Sequence, residues 1–157
     1  MKNYRKRDTL ELGSMLFFMF GFSFLVNFLW EALHAVYLYQ EHDFNASYYI
    51  RMLLYVSTVD GLIVLGMYLG VSIIWLNFFW IKAFMKKQLF VFTFIGIAVA
   101  SIIEHLSVFH FRKWMYKENM PTIFDIGLSP LIQLSVTGLW AVWLTRELLY
   151  GKGLFRI

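Results

Sequence analysis

Four segments of this 157-residue chain are long and apolar enough to cross a bilayer, and this pattern restricts the fold more than any other feature. A membrane-spanning helix needs about 20 predominantly apolar residues. Backbone polar groups must be satisfied inside the bilayer, and no alternating pattern indicates a barrel, so the segments are predicted to be helices. We expect an all-α fold, a single polytopic membrane domain (residues 1–157) forming a four-transmembrane-helix bundle. Its predicted spans are approximately residues 12–37, 52–75, 89–108 and 129–149.

The composition supports a membrane protein and excludes several functional classes. Hydrophobic residues make up 60% of the chain and charged residues 15%, which is unlike a typical soluble domain. A soluble domain of this size would leave too much apolar surface in water. The absence of cysteine excludes disulfides, thiolate metal sites and cysteine nucleophiles. Basic loops explain the net charge of +4, so no nucleic-acid partner is expected.

Lysine and arginine residues are divided unevenly between the two sides of the predicted bundle. Four lie on one side: Arg51, Arg112, Lys113 and Lys117. Ten lie on the side of the termini: Lys2, Arg5, Lys6, Arg7, Lys82, Lys86, Lys87, Arg146, Lys152 and Arg156. Because cytoplasmic loops carry the excess of basic residues, both termini are predicted to be cytoplasmic.

Glu31, Asp60 and Glu104 lie within three different predicted spans, and no lysine or arginine accompanies them there. A carboxylate at membrane depth costs several kcal/mol, roughly, and such residues usually mark functional sites. Glu31 shares one helix face with Asn27 and His34, at spacings of four and three residues. We therefore expect a buried polar pocket in the outer-leaflet half of the bundle.

The remaining polar residues of the spans extend this predicted pocket. The acid–base or catalytic groups are predicted to be Glu31, His34, Asp60, Glu104 and His105. The substrate-binding residues are predicted to be Asn27, Trp30, Ser101, Arg112, Gln133 and Trp140. Polar side chains of this kind also serve as interhelical hydrogen bonds, and that alternative stays open for Asn27, Ser101 and Gln133.

Several chemistries fit these groups. One is metal-free acid–base catalysis on a membrane lipid or isoprenoid, since burial tunes carboxyl groups for proton transfer. Another uses a divalent metal, iron or zinc, held by Glu31, His34, Glu104 and His105, although adjacent helical residues point about 100° apart. Glu31 and His34 have the Glu-x-x-His spacing of di-iron bundles. A third is haem ligated by His34 and His105.

The sequence therefore favours a membrane-embedded enzyme acting on a lipid or isoprenoid. The alternatives are a non-catalytic haem- or ligand-binding subunit of a larger membrane complex, and a small cation- or proton-coupled transporter. Small residues, Gly66 with Gly70 and Gly96 with Ala100, predict close helix contacts, either within the bundle or in a homodimer. The segment 110–127 is predicted to be an interfacial anchor or a lid over the pocket.

Several short motifs are spread over most of the chain. They are Asn27-x-x-Trp30-Glu31, Asp60-Gly61, Trp114-x-Tyr116, Met120-Pro121 and Gly127-Leu-Ser-Pro-x-x-Gln133. In these motifs the chain resembles a family of small four-helix bacterial integral membrane proteins with no assigned activity. The resemblance implies a four-helix fold, a multi-pass location in the bacterial cytoplasmic (inner) membrane, and a role for the motif residues. It implies no particular reaction.

Overall fold

The computed structural model describes the backbone of residues 2–39 and 45–151, and side chains from Arg7 onward. Each of its four long helices is long and apolar enough to cross a membrane, which confirms the predicted all-α architecture and is consistent with a multi-pass membrane protein. The helices are α1 (Lys2–Leu38), α2 (Ala46–Ile74), α3 (Lys86–His105) and α4 (Leu128–Tyr150). The basic residues Lys152 and Arg156 lie outside the described part of the chain.

Two helices begin earlier than the hydropathy pattern predicts. The 37 residues of α1 span about 55 Å, well beyond the ~30 Å of a bilayer core, because the helix continues into the polar residues from Lys2 onward. The start of α2 lies at Ala46 rather than near residue 52. Asn45 caps it by accepting hydrogen bonds from the backbone N–H groups of Ser47 (3.1 Å) and Tyr48 (3.4 Å).

The connection from α3 to α4 contains a short β-hairpin within the otherwise helical architecture. A π-helical turn (Leu106–His110) follows α3, and the chain then forms two short antiparallel strands, β1 (Thr122–Ile123) and β2 (Ile126–Gly127). Phe124 and Asp125 connect them with φ angles of 51° and 62°. Two left-handed residues between paired strands form the tight turn that matches strand twist.

The bundle packs α1 against both α2 and α4, and α3 against α4. We call the end that contains the C-termini of α1 and α3 the pocket end, and the opposite end the terminal end. Trp80 is fully buried at the terminal end, stacked on Tyr68 with ring centroids 4.8 Å apart, and its Nε1 donates to Ser72 Oγ at 3.2 Å. Trp80 therefore fills the core of the bundle at this end.

Small residues bring helices together at Gly96, where a Cβ atom would lie 2.5 Å from Ser135 Oγ of α4 and 2.9 Å from Met67 Cε of α2. This confirms the predicted close contact on α3. The predicted contact at Gly66 and Gly70 is wrong for the described bundle, because no described atom beyond the local backbone of α2 lies within 4 Å of a Cβ built at either position. That face of α2 points away from the other helices, and the homodimer alternative stays a prediction.

The Gly96→Ala variant is therefore expected to lower the free energy of unfolding by roughly 1–3 kcal/mol, since an added methyl group overpacks the contact with Ser135. The matched Gly66→Ala variant is expected to be neutral or to stabilise by up to about 1 kcal/mol, because the helix loses a flexible residue and gains no clash. Unfolding of both proteins in detergent micelles measures the difference. Equal effects would contradict the close packing of α3 on α4.

Candidate functional site

A cavity of about 700 Å³ lies at the pocket end. Helix α2 contributes the largest share of its lining residues, and α1, α3, α4 and the connection between α3 and α4 contribute the rest. Four residues predicted for the site line it: Glu31, Asp60, Glu104 and Gln133. The other lining side chains are mostly apolar or aromatic. They belong to Ala35, Tyr39, Tyr48, Tyr49, Met52, Tyr55, Val56, Ala100, Ile103, Lys113, Trp114, Pro130 and Leu134.

The Gln133 amide joins three helices beside the cavity. Its Nε2 atom lies 2.6 Å from Glu31 Oε1, 3.1 Å from Asp60 Oδ2 and 3.3 Å from Asn27 Oδ1. Asn27 is fully buried and uses its own amide to donate to the Ser23 carbonyl at 2.9 Å. A glutamine amide carries only two hydrogens for these three acceptors. The cluster therefore needs a further hydrogen.

The charges of Glu31 and Asp60 also indicate that this cluster needs a further hydrogen. Both carboxyl groups approach one neutral amide, and neither forms an ion pair with a lysine or arginine in the described part of the chain. Two ionised carboxylates at such a site repel each other, and nearby carboxyl groups commonly share one proton. The pair is thus suited to hold either a proton or a positively charged group.

Glu104 has a different environment although it lines the same cavity. The side chain is 5% exposed and accepts hydrogen bonds from Tyr116 Oη at 2.5 Å and from Trp114 Nε1 at 3.3 Å. A side chain at Gly127 would lie 3.1 Å from the Tyr116 ring, so glycine there lets the ring reach Glu104. Glu104 therefore fixes the 111–127 segment to α3.

Two tyrosines near Glu104 remain neutral hydrogen-bond donors. Burial raises the pKa of Tyr116, and its hydrogen bond to Glu104 raises the pKa further. Burial also raises the pKa of Tyr39, and the neighbouring Glu104 charge adds to the shift. Tyr39 and Tyr116 pair through a single antiparallel β-bridge, with ring centroids 5.6 Å apart. Both hydroxyl groups thus stay protonated across the physiological range.

The 111–127 segment also closes the end of α1. The backbone N–H of Lys117 donates to the Leu38 carbonyl at 2.9 Å, and its Nζ donates to the Val36 carbonyl at 2.7 Å. Asn119 Nδ2 reaches the Tyr37 carbonyl at 3.4 Å. These carbonyls lie in the last turn of a helix, where no further turn can satisfy them. Together with Glu104, they hold Lys113 and Trp114 in the wall of the cavity.

Both histidines predicted for the site lie outside the cavity lining. His34 is buried, with its ring edge against Tyr39 at 4.7 Å between centroids, so it supports a lining residue. His105 is exposed on α3 and packs against Phe109 at 5.1 Å. Because consecutive helical residues diverge by about 100°, turning Glu104 inward directs His105 outward.

This divergence leaves the predicted metal set, Glu31, His34, Glu104 and His105, without a common centre. The described residues contain no group of three or more histidine, aspartate or glutamate side chains that could hold a metal ion. With one imidazole buried and the other on the outer surface, His34 and His105 are also not arranged as axial ligands of a haem. The residues that the structure describes therefore fit neither cofactor.

Five of the six predicted substrate-binding residues do not line the cavity either, although Asn27 lies beside it and accepts a hydrogen bond from Gln133. Trp140 is 60% exposed on the outer surface of α4, because the small residues Thr137 and Ala141 occupy the fully buried positions beside it. Arg112 is exposed, and Lys113 lines the cavity in its place. The Ser101 hydroxyl donates to its own helix at the Ile97 carbonyl (2.7 Å), and Trp30 is half-buried away from the cavity.

The tyrosines of the cavity were missed by the sequence interpretation. Tyr48 and Tyr55 lie on one face of α2, seven residues apart, and Tyr49 donates to the Ala32 carbonyl at 2.8 Å. Starting α2 near residue 52 placed Tyr48 and Tyr49 in a loop. The Asn45-x-Ser47 cap is the signal that would have extended the helix and revealed this aromatic face.

No protein-family model matches the chain, and neither a curated protein nor a solved structure matches it. The motifs behind its resemblance to small bacterial membrane proteins nevertheless gather at the cavity. Glu31, Asp60, Trp114 and Gln133 line it, and Tyr116 holds Glu104. The geometry of this cavity is accordingly the basis for assigning a function.

Proposed function

We propose that this protein is a membrane-embedded enzyme that transfers protons to and from a lipid or isoprenoid bound in the cavity, with Glu31 and Asp60 as the acid–base pair. The main support is the single Gln133 amide between the two carboxyl groups, at 2.6 and 3.1 Å. An arrangement that holds one proton on two carboxyl groups provides an acid and a base side by side.

Such a pair can move a double bond along a substrate. The protonated carboxyl group gives its proton to one carbon, and the ionised carboxylate removes a proton from a carbon two positions away. The substrate thereby keeps its composition, and the pair keeps its single proton with the roles of Glu31 and Asp60 exchanged. Positive charge that develops on the substrate would face the rings of Tyr49, Tyr55 and Trp114, whose π faces attract cations.

Glu104 acts as a positioning residue in this proposal, because Tyr116 and Trp114 already occupy its carboxyl group. The excess of basic residues near the termini supports cytoplasmic termini, and the pocket end would then lie at the outer leaflet of a bacterial inner membrane. The substrate would then be a lipid that reaches the outer leaflet.

The incorporation of solvent hydrogen into lipids tests this proposal. The assay uses a mixture of lipids, so the substrate need not be identified first. Purified protein is incubated with a total bacterial lipid extract in D₂O, and mass spectrometry follows deuterium at non-exchangeable carbon positions. The wild-type protein is expected to label at least one lipid species. The Asp60→Asn variant is expected to lose at least about 100-fold in rate, as for a missing acid–base group.

The Glu147→Gln variant is the matched control, because this carboxyl group pairs with Arg146 at the terminal end and does not line the cavity. It is expected to label lipid at the wild-type rate. Labelling by Asp60→Asn at that rate, or the absence of any protein-dependent label, would refute the proposed function.

A further inference from the structure

We propose that the cavity selects an amphiphile with a protonated amine headgroup, which enters sideways from the bilayer between α2 and α3 and places its nitrogen at Glu31 and Asp60. The inference rests on the proposed function in taking this cavity as the substrate site. It adds the chemical class of the substrate and its route.

The route follows from the way in which α2 and α3 meet. Toward the terminal end they are held together, with Met67 against Gly96 and with Val64 and Phe92 both against Gly138. At the pocket end residues of both helices line the cavity instead. Tyr55 lines this cavity and is 71% exposed, nine residues along α2 from Ala46, which is about 13 Å along the helix axis. In a bilayer, an opening at that position would face lipid.

The charge of the headgroup follows from the acceptors at the closed side of the cavity. Glu31, Asp60 and the fully buried Asn27 Oδ1 compete for the two hydrogens of one amide. An ammonium group supplies N–H donors for the acceptor left over, and its charge balances the one carboxylate that stays ionised while Glu31 and Asp60 share a proton. A phosphate or carboxylate headgroup would add negative charge beside three carboxyl groups and would lack those hydrogens.

The residues that line the cavity between Glu31 and Asp60 and the opening at Tyr55 suit the apolar chain of an amphiphilic amine. The rings of Tyr48, Tyr49, Tyr55 and Trp114 offer π faces to a cation on its way inward. Met52, Val56, Ile103 and Leu134 supply the apolar wall that an alkyl or isoprenoid chain needs. Lys113 is the single lysine or arginine among the described lining residues, and its exposed side chain repels cations at the mouth.

Binding of three probes with the same chain tests the headgroup. Dodecylamine, dodecyltrimethylammonium and dodecanol are titrated calorimetrically into protein in nanodiscs of uncharged lipid, with empty nanodiscs subtracted. Dodecylamine is expected to bind at least 10-fold more tightly than dodecanol. Dodecyltrimethylammonium is expected to fall between them, because it carries the charge without an N–H donor.

Variants then locate the binding. Asp60→Asn is expected to weaken dodecylamine binding at least 10-fold, and Glu147→Gln is expected to leave it unchanged. Lys113→Met is expected to tighten it by a few-fold through removal of a like charge. If Asp60→Asn fails to fold, Tyr55→Ala replaces it, since this exposed side chain can be shortened without opening the core and its loss should weaken amine binding.

Equal binding of dodecylamine and dodecanol, or equal binding by wild type and Asp60→Asn, would overturn the inference. The two proposals fail separately. Protein-dependent deuterium labelling of a neutral lipid, without amine preference, would keep the proposed function and reject the amine class. Amine-selective binding that depends on Asp60, with no lipid labelled, would keep the amine site and reject proton transfer.

Discussion

Replacing Gln133 with leucine is expected to lower the free energy of unfolding by about 3 kcal/mol or more. The substitution removes the amide hydrogens that serve Glu31 at 2.6 Å and Asp60 at 3.1 Å, and buried groups that lose such a partner incur roughly this penalty. Reversible unfolding in mixed detergent and denaturant measures the change.

Gln88→Leu is the matched control for this prediction. Gln88 is a buried glutamine at the start of α3, and its Oε1 accepts no hydrogen bond from any residue that the structure describes. Leucine there is expected to cost less than about 1 kcal/mol, because an unsatisfied polar atom is replaced by an apolar group of similar size. A comparable loss in both variants would mean that Gln133 matters only through its volume.

A double-mutant cycle separates charge from packing at the same site. In a background that carries Glu31→Gln and Asp60→Asn, Gln133→Leu is expected to cost at least about 1 kcal/mol less than in the wild type, since the groups left behind are neutral. An identical cost in both backgrounds would contradict the link between Gln133 and the two carboxyl groups.

The second large effect concerns deuterium transfer to lipid. Glu31→Gln and Asp60→Asn are each expected to slow it by about 100- to 10,000-fold, the usual contribution of a positioned acid or base. The double variant is expected to be no slower than the worse single variant, because residues that act as one unit lose their function together. Single-turnover labelling with each purified variant measures the three rates.

Losses that multiply in the double variant would show that Glu31 and Asp60 act independently, contrary to a shared proton. Glu104→Gln provides the comparison within the same cavity. Its carboxyl group holds Tyr116 and Trp114, so the variant is expected to slow labelling less than Asp60→Asn does and to loosen the 111–127 segment. Limited proteolysis of that segment reports the second effect.

Helix number and approximate position could be predicted because the requirement for an apolar span is local and additive along the chain. Helix ends could not. Hydropathy fades where α1 continues to Lys2 and where α2 starts at Ala46, although the backbone hydrogen bonding continues. Because α2 was predicted to start near residue 52, Tyr48 and Tyr49 were not recognised as part of the aromatic wall of the cavity.

The site shows the same division between local and long-range information. Helical phase placed Asn27 and Glu31 on one face of α1, and the structure keeps both beside Gln133. Phase alone could not choose between the neighbours Glu104 and His105, because the choice depends on which side of α3 meets the rest of the bundle. The residues that hold Glu104 come from a loop whose path no periodicity describes.

Four apolar spans and the three carboxyl groups within them are evident from the sequence, because bilayer-length hydropathy and the scarcity of charge are properties of single segments. The meeting of Glu31 and Asp60 at one amide depends on helix packing, and so do the hydrogen bonds that Glu104 accepts from Tyr116 and Trp114. Gln133 lies 102 positions along the chain from Glu31 and 73 positions from Asp60. The distances between these side chains therefore depend on how the helices rotate and cross when they pack.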